Sequence, residues 1–203
     1  MNDVFADLAA ERIARFHDTR LADSPKPVSG PAHFDEGVWR HIEENHRYNA
    51  RLWDEEDLAR RPDVPDAEIV ANKRAIDRLN QGRSDSVERI DAALLERLDY
   101  ITPPEARLHS ETPGAMIDRL SILSLKIRAM RAQAGRADAT PEHHADCRAK
   151  LERLAEQRED LKRCLDMLLL ECTRGLSRFK VYRQFKMYND PALNPYLAGK
   201  SRA

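Results

Sequence analysis

Residues 66–101, DAEIVANKRAIDRLNQGRSDSVERIDAALLERLDYI, carry the pattern that decides the fold. One seam of residues recurs along this stretch at alternating steps of four and three, the repeat of a long helix packed along partner helices. The seam consists of Ile69, Lys73, Ile76, Asn80, Arg83, Val87, Ile90, Leu94, Arg97 and Ile101. The spacing predicts one helix near 66–101 with coiled-coil character. A bend is expected at Gly82, because glycine weakens a helix by about 1 kcal/mol relative to alanine.

The segments before this stretch also follow a helical period. Apolar residues predict a helix over 2–20 and a second helix over about 36–61. The apolar stripe of the second helix is Val38, Ile42, Leu52 and Leu58. Residues 24–31 between the two helices are rich in proline and predict an extended linker.

Two further helices follow the central stretch. Thr112 is typical of a helix N-cap and predicts a helix over about 113–133. Thr140 caps a last helix in the same way, and its seam continues near 141–187 with a bend at Gly175. Both caps are followed by proline, which favours the first helical position.

These elements predict an all-α chain. The expected architecture is an elongated antiparallel bundle of about five helices. Residues 1–31 are expected to form an N-terminal helix and a proline-rich linker. Residues 32–203 are expected to form a single helical-bundle domain with an irregular C-terminal tail.

Composition and charge exclude several classes of protein. The formal net charge is −1, which gives no reason to expect general binding of nucleic acid. No apolar run reaches the 18 or so residues of a membrane-spanning helix, and the N-terminus lacks the pattern of a signal peptide. Three cysteines without a CxxC spacing favour a reducing cytoplasm. A single Glu-x-x-His spacing, at Glu43 and His46, does not supply a di-iron site, so we expect neither metal nor cofactor.

Polar residues occupy positions where a scaffold would place leucine. Lys73, Asn80 and Arg83 lie on the seam of the central helix, with Asp77 beside them, and the apolar fourth helix is interrupted by Asp118, Arg119 and Lys126. Buried charges must pair or line a wet cavity. One interpretation is an ion-pair ladder between the two helices, with Asp77 opposite Arg119 and Asp118 opposite Arg83. The other is a polar pocket in the bundle core.

The segment before the fourth helix resembles an anion site. Glu111, Thr112 and Gly114 stand where free backbone N–H groups and the helix dipole favour a negative charge, and glycine lets a ligand approach the backbone. The alternative is an ordinary capped helix start.

The C-terminal stretch combines bases with aromatic residues. The bases include Arg183 and Lys186, and an aromatic residue recurs at every third position from Phe179 to Tyr188. Such a helix, together with Asn189, can stack its aromatic side chains on a sugar or base and hold phosphate with its bases. The alternative is that the aromatic residues simply pack on the bundle. Residues 172–203 carry a net charge of +6 and the remainder −7. The basic segment either folds back onto the acidic body or stays free for an anionic partner.

Three strings together resemble a known family. KRxIDxxNQxR (73–83), SETPGxxIDRLSIL (110–123) and KMYNDP (186–191) are similar to the signatures of a bacterial family catalogued as domain of unknown function 4254. The resemblance spans roughly residues 40–197 and implies a helical protein with no assigned activity. Members of that family tend to be encoded among glycosyltransferases of cell-envelope polysaccharide synthesis.

Three functional hypotheses follow from the residues and the resemblance. The leading hypothesis is a non-catalytic accessory or binding protein for envelope glycan assembly, which holds an anionic sugar precursor or a glycosyltransferase partner. The alternative is a transferase or hydrolase acting on a phosphorylated or nucleotide sugar, with Asp77 or Asp118 as base and Arg83, Arg119 and Lys126 holding phosphate. The third is a homodimer built on the seam over 147–182.

Overall fold

Helices dominate the chain, as the sequence predicts. The structure is a computed structural model, and it describes residues 4–22, 32–98, 103–187 and 190–198. A short 3-10 turn over Ala6–Leu8 precedes the first helix. The helices are α1 (Ala10–Ala22), α2 (Gly37–Leu58), α3 (Asp66–Arg97), α4 (Pro113–Ala134), α5 (Pro141–Thr173) and the short α6 (Pro195–Ala198). None of the helices in these ranges has the length and apolarity that a bilayer span requires.

The predicted helix starts at Thr112 and Thr140 are confirmed. Each threonine hydroxyl accepts a hydrogen bond of 3.2 Å from the backbone N–H three residues later, at Ala115 and His143. Each cap therefore satisfies one of the N–H groups that a helix leaves without a partner at its start.

Helices α2 and α3 form an antiparallel hairpin. Asn72 donates to Glu55 near the connecting loop, Asn45 donates to Ser86 farther along, and Arg89 contacts Glu44 beyond that. Helix α3 runs on through position 82, where the Tyr48 ring of α2 lies against Gly82. The two helices therefore pack closely over most of their length.

Helices α4 and α5 form the second hairpin, and α1 packs against both. The backbone N–H of Ala10 donates to Asp166 over 2.8 Å, and Asp18 pairs with Arg158 over 2.9 Å. Helix α1 is thus antiparallel to α5 and shares the core. The main core cluster includes Leu8, Ile13, Ile42, Ile90, Leu94, Ile117, Leu120 and Leu165.

The predicted extension of the last helix to residue 187 is wrong. Helix α5 ends at Thr173, because Gly175 adopts a φ of 67°, a left-handed conformation that favours glycine. The Leu176 N–H donates to the Glu171 carbonyl and the Gly175 N–H to that of Cys172, which is the pattern of a Schellman cap. Gly175 ends the helix instead of bending it.

After this cap the chain runs as a strand and then as an irregular segment. Strand β2 (Ser177–Arg178) pairs in parallel with β1 (Arg107–Leu108). Residues 179–187, which we call the C-terminal arm, begin with the buried Phe179. Within the arm, Gln184 receives a hydrogen bond from Ser84 and donates its N–H to Glu88, both on α3. The arm thus lies against α3, the first of the two arrangements that the charge distribution allowed.

Candidate functional site

Asp118 and Arg83 meet at the centre of the predicted polar seam. The Arg83 Nε atom lies 3.6 Å from a carboxylate oxygen of Asp118, which confirms that pairing. The same oxygen accepts hydrogen bonds of 2.9 Å from the side-chain amides of Asn45 and Asn49. Asp118 is buried, so this carboxylate joins α2, α3 and α4.

The predicted pairing of Asp77 with Arg119 is wrong. Asp77 pairs with Lys73 one turn earlier on α3, and Arg119 pairs with Glu111. Lys73 is exposed over 66% of its side chain and Asp77 over 50%. The start of the α3 seam is therefore a solvated face, and its ion pairs are local.

A buried polar network continues from Asp118 towards α1. Asn49 donates to the Ser121 hydroxyl over 3.1 Å, and the His46 Nδ1 atom lies 2.8 Å from the same oxygen. The rings of His46 and His17 stack with their centroids 4.6 Å apart. Among the described residues, neither His46 Nε2 nor either ring nitrogen of His17 has a hydrogen-bond partner.

Burial keeps both histidines neutral. Desolvation lowers the pKa of His46 to about 3, and the nearby Arg20 guanidinium acts in the same direction. Desolvation also holds the pKa of His17 well below its ordinary value, with His46 and Arg158 as smaller causes. A neutral imidazole avoids placing an uncompensated charge inside the bundle.

Asp91 occupies the start of α4, where the sequence suggests an anion site. The Gly114 N–H donates to an Asp91 carboxylate oxygen over 2.7 Å. Burial raises the pKa of Asp91 to about 6, against the opposing effect of hydrogen bonds from Thr112 and Gly114. The close approach at Gly114 thus serves a carboxylate of the chain itself, and an external anion cannot take that N–H.

The predicted site residues of the C-terminal segment do not share one environment. Lys186 is partly buried beside α3, and burial lowers its pKa; the charge of Arg83 acts in the same direction, while Asp85 opposes it. Asn80 of α3 is half-buried, and its carbonyl accepts from Ser84. Arg183 is exposed. Tyr188 and Asn189 lie outside the described residues.

Glu111, Arg119 and Lys126 line one groove between α4 and α5. The groove has a volume of about 590 Å³, and Met116 and Leu161 contribute to its apolar floor. The structure therefore brings these three predicted residues together, but separates them from Lys73, Asn80 and Arg83 on α3.

A second groove lies between α2 and α3, and its lining contains none of the predicted site residues. It has a volume of about 540 Å³ and is lined by Arg40, His41, Glu44, Arg47, Tyr48, Arg51 and Arg89. We call it the arginine groove. Four guanidinium groups face it against one carboxylate, which makes its lining strongly basic. The signal in the sequence is the 4-3-4 spacing of positions 40, 44, 47 and 51, which places them on one face of α2.

Carboxylates hold three of these four arginines in place. Glu44 pairs with Arg40 over 3.2 Å and with Arg89 over 3.3 Å, so it links the two helices. The buried Glu43 pairs with Arg47 over 3.2 Å and also accepts the backbone N–H groups of residues 33 and 34. The Arg51 side chain is exposed and forms no ion pair or hydrogen bond with any residue that the structure describes.

The described part of the chain contains no cluster of side chains that could support metal chemistry. No group of three or more His, Cys, Asp or Glu side chains there is arranged to hold a metal ion. The polar groups of the two grooves are instead suited to hydrogen bonding and charge pairing.

The fold and the grooves define an all-α bundle with open polar clefts between its paired helices. The chain belongs to a family of unknown function: the sequence model described as Protein of unknown function (DUF4254) matches residues 39–181. No curated protein and no solved structure matches the chain. The match begins in α2 and ends shortly after β2. Helix α1 and the string at 186–191 therefore lie outside it.

Proposed function

We propose that the chain is a non-catalytic binding protein for an anionic sugar precursor, a phosphorylated or nucleotide sugar, and that the arginine groove holds the anionic group. The observation that carries the proposal is the convergence of Arg40, Arg47, Arg51 and Arg89 on one cleft. Guanidinium groups bind phosphate in a bidentate manner, and their hydrogen bonds to charged acceptors are about twice as strong as neutral ones.

The pairing within the groove indicates where a ligand phosphate binds. Arg40 and Arg89 already share the Glu44 carboxylate at one end. At the other end, Arg51 has no described partner and Arg47 is fixed from behind by Glu43. A phosphate placed between Arg47 and Arg51 gains two charged donors without displacing the Glu44 pairs.

The same groove has groups that suit a sugar. Tyr48 lines it between these two arginines and lies against Gly82, so its position is held by packing. An aromatic ring offers a face to the C–H groups of a sugar or to a base. The Glu44 carboxylate can accept hydrogen bonds from hydroxyl groups.

The role in envelope glycan assembly and a glycosyltransferase partner are part of the proposal. They are supported by the resemblance of the central strings to a family whose members tend to be encoded among glycosyltransferases. A binding protein of this kind presents a charged precursor to the enzyme that uses it.

The enzyme alternative gains no support from its two candidate bases. Asp118 is buried and accepts hydrogen bonds from two asparagines, while Asp77 pairs with Lys73 on an exposed helix face. Neither aspartate lines the arginine groove or the groove between α4 and α5.

Isothermal titration calorimetry of the full chain tests the proposal. The probes are UDP-glucose, glucose 1-phosphate, inorganic phosphate and uncharged glucose. We expect the phosphorylated sugars to bind and glucose not to bind. Arg51→Ala is expected to weaken binding about tenfold or more, because it removes a charge-assisted contact.

Arg153→Ala is the matched control, since Arg153 is an exposed arginine on α5 outside both grooves. Its affinities are expected to equal those of the wild type. The proposal is wrong if none of the three phosphates binds, or if Arg51→Ala binds them as tightly as the control does.

A further inference from the structure

The C-terminal end of the described chain exposes an unusual amount of apolar surface. Seven of the twelve exposed large apolar side chains in the described residues lie between positions 176 and 197. Phe185 is 86% exposed and Tyr196, in α6, is 93% exposed. Exposed apolar side chains concentrated in this way mark interaction surfaces, whereas scattered ones need no explanation.

The backbone of this region is held to the body of the protein. Phe179 is buried in the main core, and β2 pairs with β1 just before it. Gln184 bonds to Ser84 and Glu88, and Lys186 lies beside Asp85. The exposed side chains of Tyr182, Phe185 and Met187 are therefore presented on an anchored arm.

The arm has an inner and an outer side. Gln184 and Lys186 face α3, while Phe185 between them is almost fully exposed. Arg183, Phe185 and Met187 are all exposed and form the outer side of the arm, which combines a base, an aromatic ring and a flexible apolar chain.

The surroundings of this outer side are basic. Arg174, Lys180 and Arg183 are exposed, and their side chains form no ion pair or hydrogen bond with any described residue. The sequence contains no acid between Glu171 and Asp190. The acids of α3 beneath the arm face Lys186, which partly neutralises them.

We propose that the outer side of the C-terminal arm, together with α6, docks the protein on the surface of an anionic lipid bilayer. Aromatic and aliphatic side chains enter the boundary between headgroups and acyl chains, and lysine and arginine attract anionic headgroups. The net charge of −7 on residues 1–171 orients the acidic body away from such a surface.

The observations favour a lipid surface over a protein partner. The exposed side chains lie on an irregular arm and show neither helical nor sheet periodicity. A fluid interface accepts irregular spacing, because lipids rearrange around each side chain.

Vesicle co-sedimentation of the full chain tests the proposal. One set of vesicles is phosphatidylcholine alone, and the other contains about 30% phosphatidylglycerol. We expect binding to the anionic vesicles, little binding to the neutral ones, and loss of binding as NaCl rises from about 0.1 to 0.5 M.

Two double variants separate the contribution of the bases to vesicle binding from that of the apolar side chains. Lys180→Glu with Arg183→Glu is expected to weaken binding to anionic vesicles about tenfold or more, since each base near the surface contributes to the attraction. Phe185→Ala with Tyr196→Ala is expected to weaken it as well, because the side chains that enter the interface are gone.

Each variant has a control on α5. Arg148→Glu with Arg153→Glu makes the same change in charge at two exposed arginines without described partners, and Met167→Ala with Leu170→Ala truncates two exposed apolar side chains. Both controls are expected to bind as the wild type does.

Three outcomes would overturn the proposal. The first is absence of binding to anionic vesicles. The second is an equal loss in the charge variant and its control, which would show that only net charge matters. The third is a dimer, seen by light scattering, that dissociates in the Phe185→Ala and Tyr196→Ala variant, because the surface would then bind a second copy of the chain.

Discussion

The backbone N–H of Gly114 donates a hydrogen bond of 2.7 Å to the carboxylate of Asp91, so the anion at the start of α4 belongs to the chain itself. A free N–H and the positive end of the helix dipole favour a negative charge at this position. Asp91 supplies that charge from α3 and is 97% buried, with 3% of its surface exposed. The contact ties two helices of the bundle together at a point that resembles a ligand site.

The close approach at this point predicts that Gly114→Ala is destabilising. A Cβ at position 114 would lie 2.7 Å from the Val87 carbonyl oxygen and 2.8 Å from the Asp91 carboxylate. We expect a loss of about 1–3 kcal/mol in the free energy of unfolding, the usual cost of overpacking. Gly135→Ala is the control, since the nearest atom to its Cβ would be 3.5 Å away. Urea denaturation measures both, and equal stability of the two variants would contradict the argument.

The buried carboxyl of Asp91 should also make the free energy of unfolding depend on pH. Its pKa is about 6 in the folded chain and 3.8 in the reference state, because burial disfavours the charged form. The folded chain therefore binds more protons between pH 4 and 6, and Asp91 costs stability as the pH rises through this window. At pH 7 the cost amounts to about 3 kcal/mol.

Asp91→Asn isolates the contribution of Asp91, because the variant and the wild type share all the other titrating groups. Its stability relative to the wild type is expected to improve by up to about 3 kcal/mol between pH 4 and pH 7, because the amide carries no charge to desolvate. Parallel stability curves for the two proteins across this range would show that Asp91 titrates with an ordinary pKa.

Asp118 and Asp77 differ sharply in surroundings and offer a matched comparison. Asp118→Ala removes the acceptor of two buried asparagine amides and the partner of Arg83, which is expected to cost about 3 kcal/mol. Asp77→Ala removes an exposed ion pair with Lys73 and is expected to cost 1 kcal/mol at most, by the roughly 0–1 kcal/mol range of such pairs. Thermal denaturation measures both, and an unchanged melting temperature for Asp118→Ala would show that its network carries no stability.

Local signals in the sequence were sufficient for the helix starts. The caps at Thr112 and Thr140 depend on residues within one turn, so they could be predicted from spacing alone. The end of α5 could not, because an apolar seam continues past it to Tyr182. Only the bonding of residues 175 and 176 back to the helix shows that Gly175 is a cap.

The candidate site was predictable in part. The Arg83–Asp118 pair follows from polar residues on facing seams. Asp77, on an exposed face of α3, and Arg119, in the groove between α4 and α5, occupy positions that spacing cannot reveal. Asn45 and Asn49 fill the gap in the stripe of α2 between Ile42 and Leu52, so a signal was present there. The arginine groove had a signal within α2, but Arg89 joins it only through the packing of α3.

The two stacked histidines predict instability in mild acid. The pKa of His46 is about 3 and that of His17 is well below 6.5 when folded, so protons bind preferentially to the unfolded chain below pH 6.5. Stability is expected to fall by about 2 kcal/mol between pH 7 and pH 5 through His46, and His17 adds a loss in the same direction. His17→Phe keeps an aromatic ring in the stack and removes two buried nitrogens that have no described partner. It is expected to stabilise the chain at pH 7 by about 1 kcal/mol and to reduce the loss at pH 5. His143→Phe, at a half-buried position in the first turn of α5 and outside the stack, is the control for loss of an imidazole. Urea denaturation at both pH values decides the matter, and an undiminished loss in His17→Phe would place the acid sensitivity elsewhere.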